Sequence, residues 1–142
     1  MSPEITFSAA SLAAAAAWIV LLFAPLRRGA AVLAARTMAV ALAASYAALL
    51  AVDLSRGEAP DFTTLEGVRA ALSRPDALVV GWIHYLAFDL WIGAWEVEEA
   101  GRRRLPHLLV LPCLALTFMF GPVGLLVFLA LRAAINRRAE PA

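Results

Sequence analysis

DALVVGWIHYLAFDLWIGAWEVE, residues 76–98, is the stretch whose reading decides the fold. It has the length of one membrane span, which takes about 20 mostly apolar residues. It also carries Trp82, His84, Tyr85, Asp89, Trp91, Trp95 and Glu96. Asp89 lies mid-span, thirteen residues after Asp76 and nine before Glu98. An ionised carboxylate at that depth costs several kcal/mol, about 2.5–3.5 on insertion scales. It must pair, face water or keep its proton.

Outward from this run the chain keeps the same character. Hydrophobic residues make up 63% of 142 and charged residues 16%, with a mean hydropathy of +0.79. Ordinary soluble domains hold roughly 45–50% apolar and about 25% charged residues. The balance excludes disorder, a basic nucleic-acid arm and a water-soluble globule. Four span-length runs are expected, at about 5–24, 30–52, 76–98 and 107–131. They make an all-α integral membrane four-helix bundle in a single domain, 1–142. No basic residue precedes the first run, so it reads as a retained span, not a signal peptide. Small residues in the second run (Ala43, Ala44, Ser45, Ala47, Ala48) predict close helix packing, within the chain or in an oligomer. Arg36 is expected to snorkel to the interface.

Residues 53–75 break the apolar pattern. Thr63 and Glu66 have capping-box spacing. Leu65, Val68 and Leu72 recur on one side, which predicts a short interfacial helix near 64–73. Ser73-Arg74-Pro75-Asp76 signals another helix start. In the fourth run, Gly121-Pro122 predicts a bend or local opening, because proline donates no backbone bond. Residues 132–142 read as a polar, frayed tail.

The arginines, six on each side of a four-span topology, give no orientation under the positive-inside rule. The 12 basic residues are all arginine, so no lysine exists for Schiff-base chemistry. Cys113 is the only cysteine, which excludes an intrachain disulfide and a thiolate zinc cluster. In its apolar run it reads as a buried, inert thiol.

Five residues apart, His84 and Asp89 lie about 140° from one another around a helix. Trp82, Tyr85, Asp89, Gly93 and Glu96 share one arc, and His84, Phe88, Trp91 and Trp95 share another. If both line one cavity, an elongated apolar ligand meets a carboxylate on one side and an imidazole on the other. The plainer alternatives are helix-to-helix hydrogen bonds for Asp89 and His84, and an interfacial aromatic belt for Tyr85 and Trp95. A metal held by His84, Asp89, Glu96 and His107 has no supporting ligand spacing. Glu96, Glu98 and Glu99 read instead as an interfacial ion-pair cluster with Arg102 to Arg104, with His107 as a cap or at the interface. No metal and no cofactor is expected.

The run Gly81-Trp82-Ile83-His84-Tyr85-Leu86-Ala87-Phe88-Asp89-Leu90-Trp91-Ile92-Gly93 resembles the abscisic-acid-deficient-four-like family. So do Pro106 to Cys113 and Thr117-Phe118-Met119-Phe120-Gly121-Pro122-Val123-Gly124-Leu125. The resemblance covers about residues 77–131 closely, while residues 1–74 carry no distinctive motif. It implies a place in carotenoid metabolism, since plant members are needed to form neoxanthin from violaxanthin. Opening that epoxide to an allenic alcohol is an isomerisation, which asks for an acid at oxygen and a base at a carbon-bound hydrogen. His84 and Asp89 match the family's polar pattern and are the candidate catalytic pair. Trp82, Tyr85, Trp91, Trp95 and Phe118 are candidate ligand walls. The short N-terminus, without transit-peptide composition, implies a bacterial inner-membrane member.

Two readings stay open. One is a cofactor-independent isomerase of an epoxy-carotenoid or related polyene. The other is a non-catalytic partner that binds a polyene or lipid or scaffolds another membrane enzyme. The partners expected are membrane lipid and a carotenoid or other isoprenoid, not nucleic acid.

Overall fold

The computed structural model describes residues 2–57 and 61–139, with side chains as far as 135. Among the described residues the chain is wholly helical. The helices are α1 (Pro3–Leu22), α2 (Arg28–Ser55), α3 (Leu65–Leu72), α4 (Pro75–Arg102), α5 (His107–Phe120) and α6 (Pro122–Ala139), with a 3-10 turn at Ala24–Leu26. Glu58 and Pro60 of the expected interfacial segment, and the end of the tail, lie outside the described residues.

Three helices, α1, α2 and α4, are long and apolar enough to cross a membrane. At 1.5 Å per residue, the 28 residues of α2 and of α4 each extend about 42 Å. A hydrocarbon core is about 30 Å thick, so each helix is longer than one crossing needs. The run expected as a fourth span is two shorter apolar helices, α5 and α6, which pack against each other. Pro112 sits inside α5 without ending it. The break comes at Gly121, at φ 39° and ψ −93°, a conformation that suits glycine. Its N–H donates to the Thr117 carbonyl at 2.9 Å, and Pro122 opens the next helix, the first-turn position that needs no N–H. Residues 132–139, expected to fray, continue α6. Ala133, Ala134 and the arginines there are good helix formers.

The chain divides into two compact units, one of Met1–Ala15 and Thr37–Phe88, the other of Ala16–Arg36 and Asp89–Ala142. In the first, the Trp82 indole N–H donates to Ser11 Oγ at 3.0 Å, and its ring packs on Phe7 at 5.4 Å. These contacts join α4 to α1, and His84 joins α4 to α2 through Tyr46 at 5.2 Å. The short helix α3 belongs to this unit. Its cap is Thr64, one residue later than the spacing at Thr63 suggested, and the Thr64 hydroxyl accepts from the Gly67 N–H at 3.0 Å. Asp61 is the reason. Its carboxylate accepts from both the N–H and the hydroxyl of Thr63 and from the Thr64 hydroxyl, which leaves Thr64 oriented toward the first turn. Leu65 and Leu72 stay exposed, an apolar face suited to a bilayer surface.

In the second unit Trp18 of α1 lies over Gly93 of α4, where a Cβ would collide with its indole. Trp18 also meets Phe118 edge-on at 5.5 Å. Trp95 of α4 meets Phe128 of α6 at 5.4 Å. Gly124 packs against the Thr117 backbone, with no room for a Cβ. The small residues of α2, Ala43, Ala44, Ser45, Ala47 and Ala48, are exposed within the single chain. The buried face of α2 is Ala31, Val32, Ala35, Ala39 and Leu42, an i, i+4, i+8, i+11 stripe set earlier along the helix.

Two outcomes test these joints. Gly124→Ala gains about 1 kcal/mol of helix propensity, but its methyl meets backbone that no rotamer change can move. Overpacking of this kind costs about 1–3 kcal/mol, so the variant is expected to melt below the wild type in detergent. At Asp61 the Thr63 hydroxyl, then the Thr63 N–H and the Thr64 hydroxyl, hold the carboxyl below its ordinary 3.8. A lowered folded-state value stabilises above the unfolded value and is lost as pH falls through the folded one. Hydrogen-exchange protection at Gly67 should therefore decline below about pH 3.8, and Asp61→Asn should abolish that pH dependence.

Candidate functional site

Glu96 is fully buried on α4, on the arc that also carries Asp89 and Gly93. A carboxyl in that setting needs a hydrogen bond, and the Thr117 hydroxyl of α5 donates one to its Oε1 at 2.9 Å. Its Oε2 is buried without a hydrogen-bond partner. Asp89 is half-buried and lies close enough to act electrostatically on Glu96. A Cβ on Gly121 would come within 2.8 Å of the Asp89 Oδ1, so the helix break and the carboxyl occupy adjoining space. Two carboxyls, a hydroxyl and a broken helix thus form one constellation in the second unit.

Glu96 was not among the expected site residues, having been read with Glu98 and Glu99 as an interfacial charge cluster. Seven residues after Asp89 it returns to the same face, toward α5. Glu98 and Glu99 turn about 200° and 300° away from it. Those two make the ion pairs expected. Arg36 and Arg102 meet Glu98 at 2.7 and 3.2 Å, and Arg103 and Arg132 meet Glu99. Arg36 does not merely snorkel, since its guanidinium also lies over the Trp91 ring at 5.1 Å. The signal available in sequence was Thr117, four residues before Gly121, in a run with few other polar groups.

The other expected residues occupy several surroundings. His84 belongs to the first unit, between the rings of Tyr46 and Phe88, whereas Asp89 belongs to the second. His84 lines an apolar cavity of about 260 Å³ with Tyr46, Leu50, Asp53, Phe62, Leu72 and Arg74 among its walls. Tyr46 and Asp53 were not among the expected site residues, because α2 carries no motif around them. Trp82 and Tyr85 meet at 5.3 Å with their rings tilted by 31° and line an apolar groove with Phe7 and Leu72. In the second unit Trp91 is taken by Arg36, Trp95 by Phe128 and Arg132, and Phe118 by Trp18. His107 Nε2 lies 3.1 Å from the Leu22 carbonyl oxygen, and Cys113 is a buried free thiol.

Long apolar helices with ionisable groups held between them define a helical protein that fits a membrane. The family model described as ABA DEFICIENT 4-like matches residues 5–128, and the chain belongs to that family. No curated protein and no solved structure matches it.

Removing the Thr117 hydroxyl isolates the buried carboxyl. Thr117→Val keeps the shape but leaves both Glu96 oxygens without a donor, a loss of about 1–3 kcal/mol. Glu96→Gln keeps an oxygen for Thr117 and should cost less. Thermal unfolding of the two variants in one detergent checks the order. A Thr117→Val protein as stable as the wild type would show that the bond carries no stability.

Proposed function

We propose that the protein acts in carotenoid or related isoprenoid metabolism, as an acid–base isomerase that takes the ring end of a polyene and moves a proton on it. The observation that carries this reading is the apolar cavity with the His84 imidazole in its wall. Family membership supports the link to carotenoids. Pockets that enclose whole ligands run roughly 300–1,000 Å³. A cavity of about 260 Å³ suits one end group, with the polyene chain left outside it among apolar surfaces.

Opening an epoxide to an allenic alcohol changes no atom count. One group takes a hydrogen from carbon as a proton, electrons move to break the carbon–oxygen bond, and an acid protonates the oxygen. His84 is the proposed base. Tyr46 and Asp53 bring oxygen acids to the same cavity, and the Tyr46 ring already meets His84 edge-on. Asp89 is proposed as a proton carrier in its own surroundings beside Glu96 and Gly121, and is tested separately. The α5–α6 pair is proposed to complete a fourth crossing.

The test starts with full-length protein purified in mild detergent. Bound pigment or lipid is extracted and identified by mass, and an added polyene epoxide is followed by chromatography. His84→Gln is expected to retain the ligand and lose conversion by about 10²–10⁴-fold, the usual share of one proton-transfer group. Asp89→Asn is measured in parallel, with thermal stability recorded for both. Full conversion by His84→Gln would remove the imidazole from the reaction. A polyene bound but unchanged by the wild type would favour the non-catalytic binding partner instead.

A further inference from the structure

Within the second unit, the start of α2 and the end of α4 enclose an open groove of about 530 Å³. It is lined by Arg28, Val32, Leu33, Arg36, Glu98 and Arg102, with Gly29 and Gly101 leaving it room. Three guanidiniums face the single carboxylate of Glu98, which leaves two positive charges. Glu98 is already engaged by Arg36 and Arg102. The neighbouring Glu99 is engaged by Arg103 and Arg132. Arg28 has no carboxylate partner among the described residues. Its Nε and that of Arg36 are buried N–H donors without an acceptor.

The excess of positive charge over the one Glu98 carboxylate and a wall of Val32 and Leu33 describe a ligand with an anionic, oxygen-rich head and an apolar tail. The first turn of α2 adds the positive end of a 28-residue helix. Arg36 begins its third turn, about 12 Å along the axis from Arg28, a depth the headgroup zone can reach. Guanidinium forks match phosphate oxygens in pairs.

We propose that this groove binds the phosphate head of an anionic amphiphile, with Arg28 and Arg36 as its donors and Val32 and Leu33 against the first part of the tail. The head chemistry is shared by two sources, an anionic phospholipid of the bilayer and a prenyl diphosphate. The site stands independently of the polyene reading.

The full chain is placed in phosphatidylcholine nanodiscs. Thermal stability and native mass spectrometry are recorded with phosphatidylglycerol, farnesyl diphosphate or inorganic diphosphate as probes. A tailed phosphate should raise the melting temperature and survive as a bound adduct, and inorganic diphosphate should bind more weakly. Arg28→Gln should weaken binding by about tenfold or more, the usual worth of a hydrogen bond to a charged group. Gly101→Ala keeps every charge but pushes a Cβ into Arg28, 2.6 Å from its Cδ and 2.7 Å from Nη1. It should weaken binding as well, which covers the case that Arg28→Gln folds poorly. Arg69→Gln, on the exposed α3, is the charge-matched control and should leave binding unchanged. A response to phosphatidylglycerol alone assigns the site to bilayer lipid, and a response to the prenyl diphosphate alone assigns it to that ligand. Either supports the phosphate groove. No response beyond phosphatidylcholine, or binding by Arg28→Gln and Gly101→Ala as tight as that of the wild type, overturns it.

Discussion

The hydrogen bond from Thr117 to Glu96 is the constraint on which the second unit depends. Glu96 sits at zero exposure on a helix that is otherwise largely apolar, and an unmet carboxyl there would cost more than any one packing contact returns. Meeting it requires α5 to approach α4 closely. Gly93 lets the Trp18 ring lie against α4, and Trp18 in turn meets Phe118 of α5. The break at Gly121 leaves room for the Asp89 carboxyl. Gly124 then lets α6 turn back along α5 against the Thr117 backbone.

The first unit obeys a different economy. Its polar groups lie at its edges or in its cavity, and aromatic contacts carry the joints. Trp82 buries its apolar body against Phe7 and satisfies its N–H on Ser11, as a tryptophan between two helices must. His84 meets the rings of Tyr46 and Phe88. A positioned imidazole in an apolar wall is what proton transfer on a lipid-like substrate would use. Proton chemistry and ligand shape are thus drawn from the same aromatic framework.

The charged ends follow from helix length. Helices of about 42 Å are longer than a hydrocarbon core of about 30 Å, and the arginines and glutamates lie together where the start of α2 meets the end of α4. Exposed ion pairs there contribute little to stability. Their value lies in placement. Glu98 holds Arg36 and Arg102 in one groove, which leaves Arg28 with its charge uncompensated.

Much of this was legible in the sequence because it depends on local periodicity. Apolar runs gave the helices, and the leucine and valine spacing from 65 to 72 marked α3. Gly121-Pro122 marked the break, since an absent N–H acts wherever the chain lies. The motifs around His84, Asp89 and Gly121 pointed to the family. What periodicity cannot supply is the neighbour across a helix interface. Glu96, Glu98 and Glu99 are near neighbours in sequence, yet one is sealed against Thr117 and the others meet arginines, because each residue turns the next side chain by about 100°. Likewise Tyr46 could be matched to His84, and Arg28 to Gly101, only once α2 lay beside α4. The sequence by itself determined which segments are helices and where they break. Only the tertiary structure decided which polar groups face one another, because burial and hydrogen bonding at an interface depend on residues far apart in the chain.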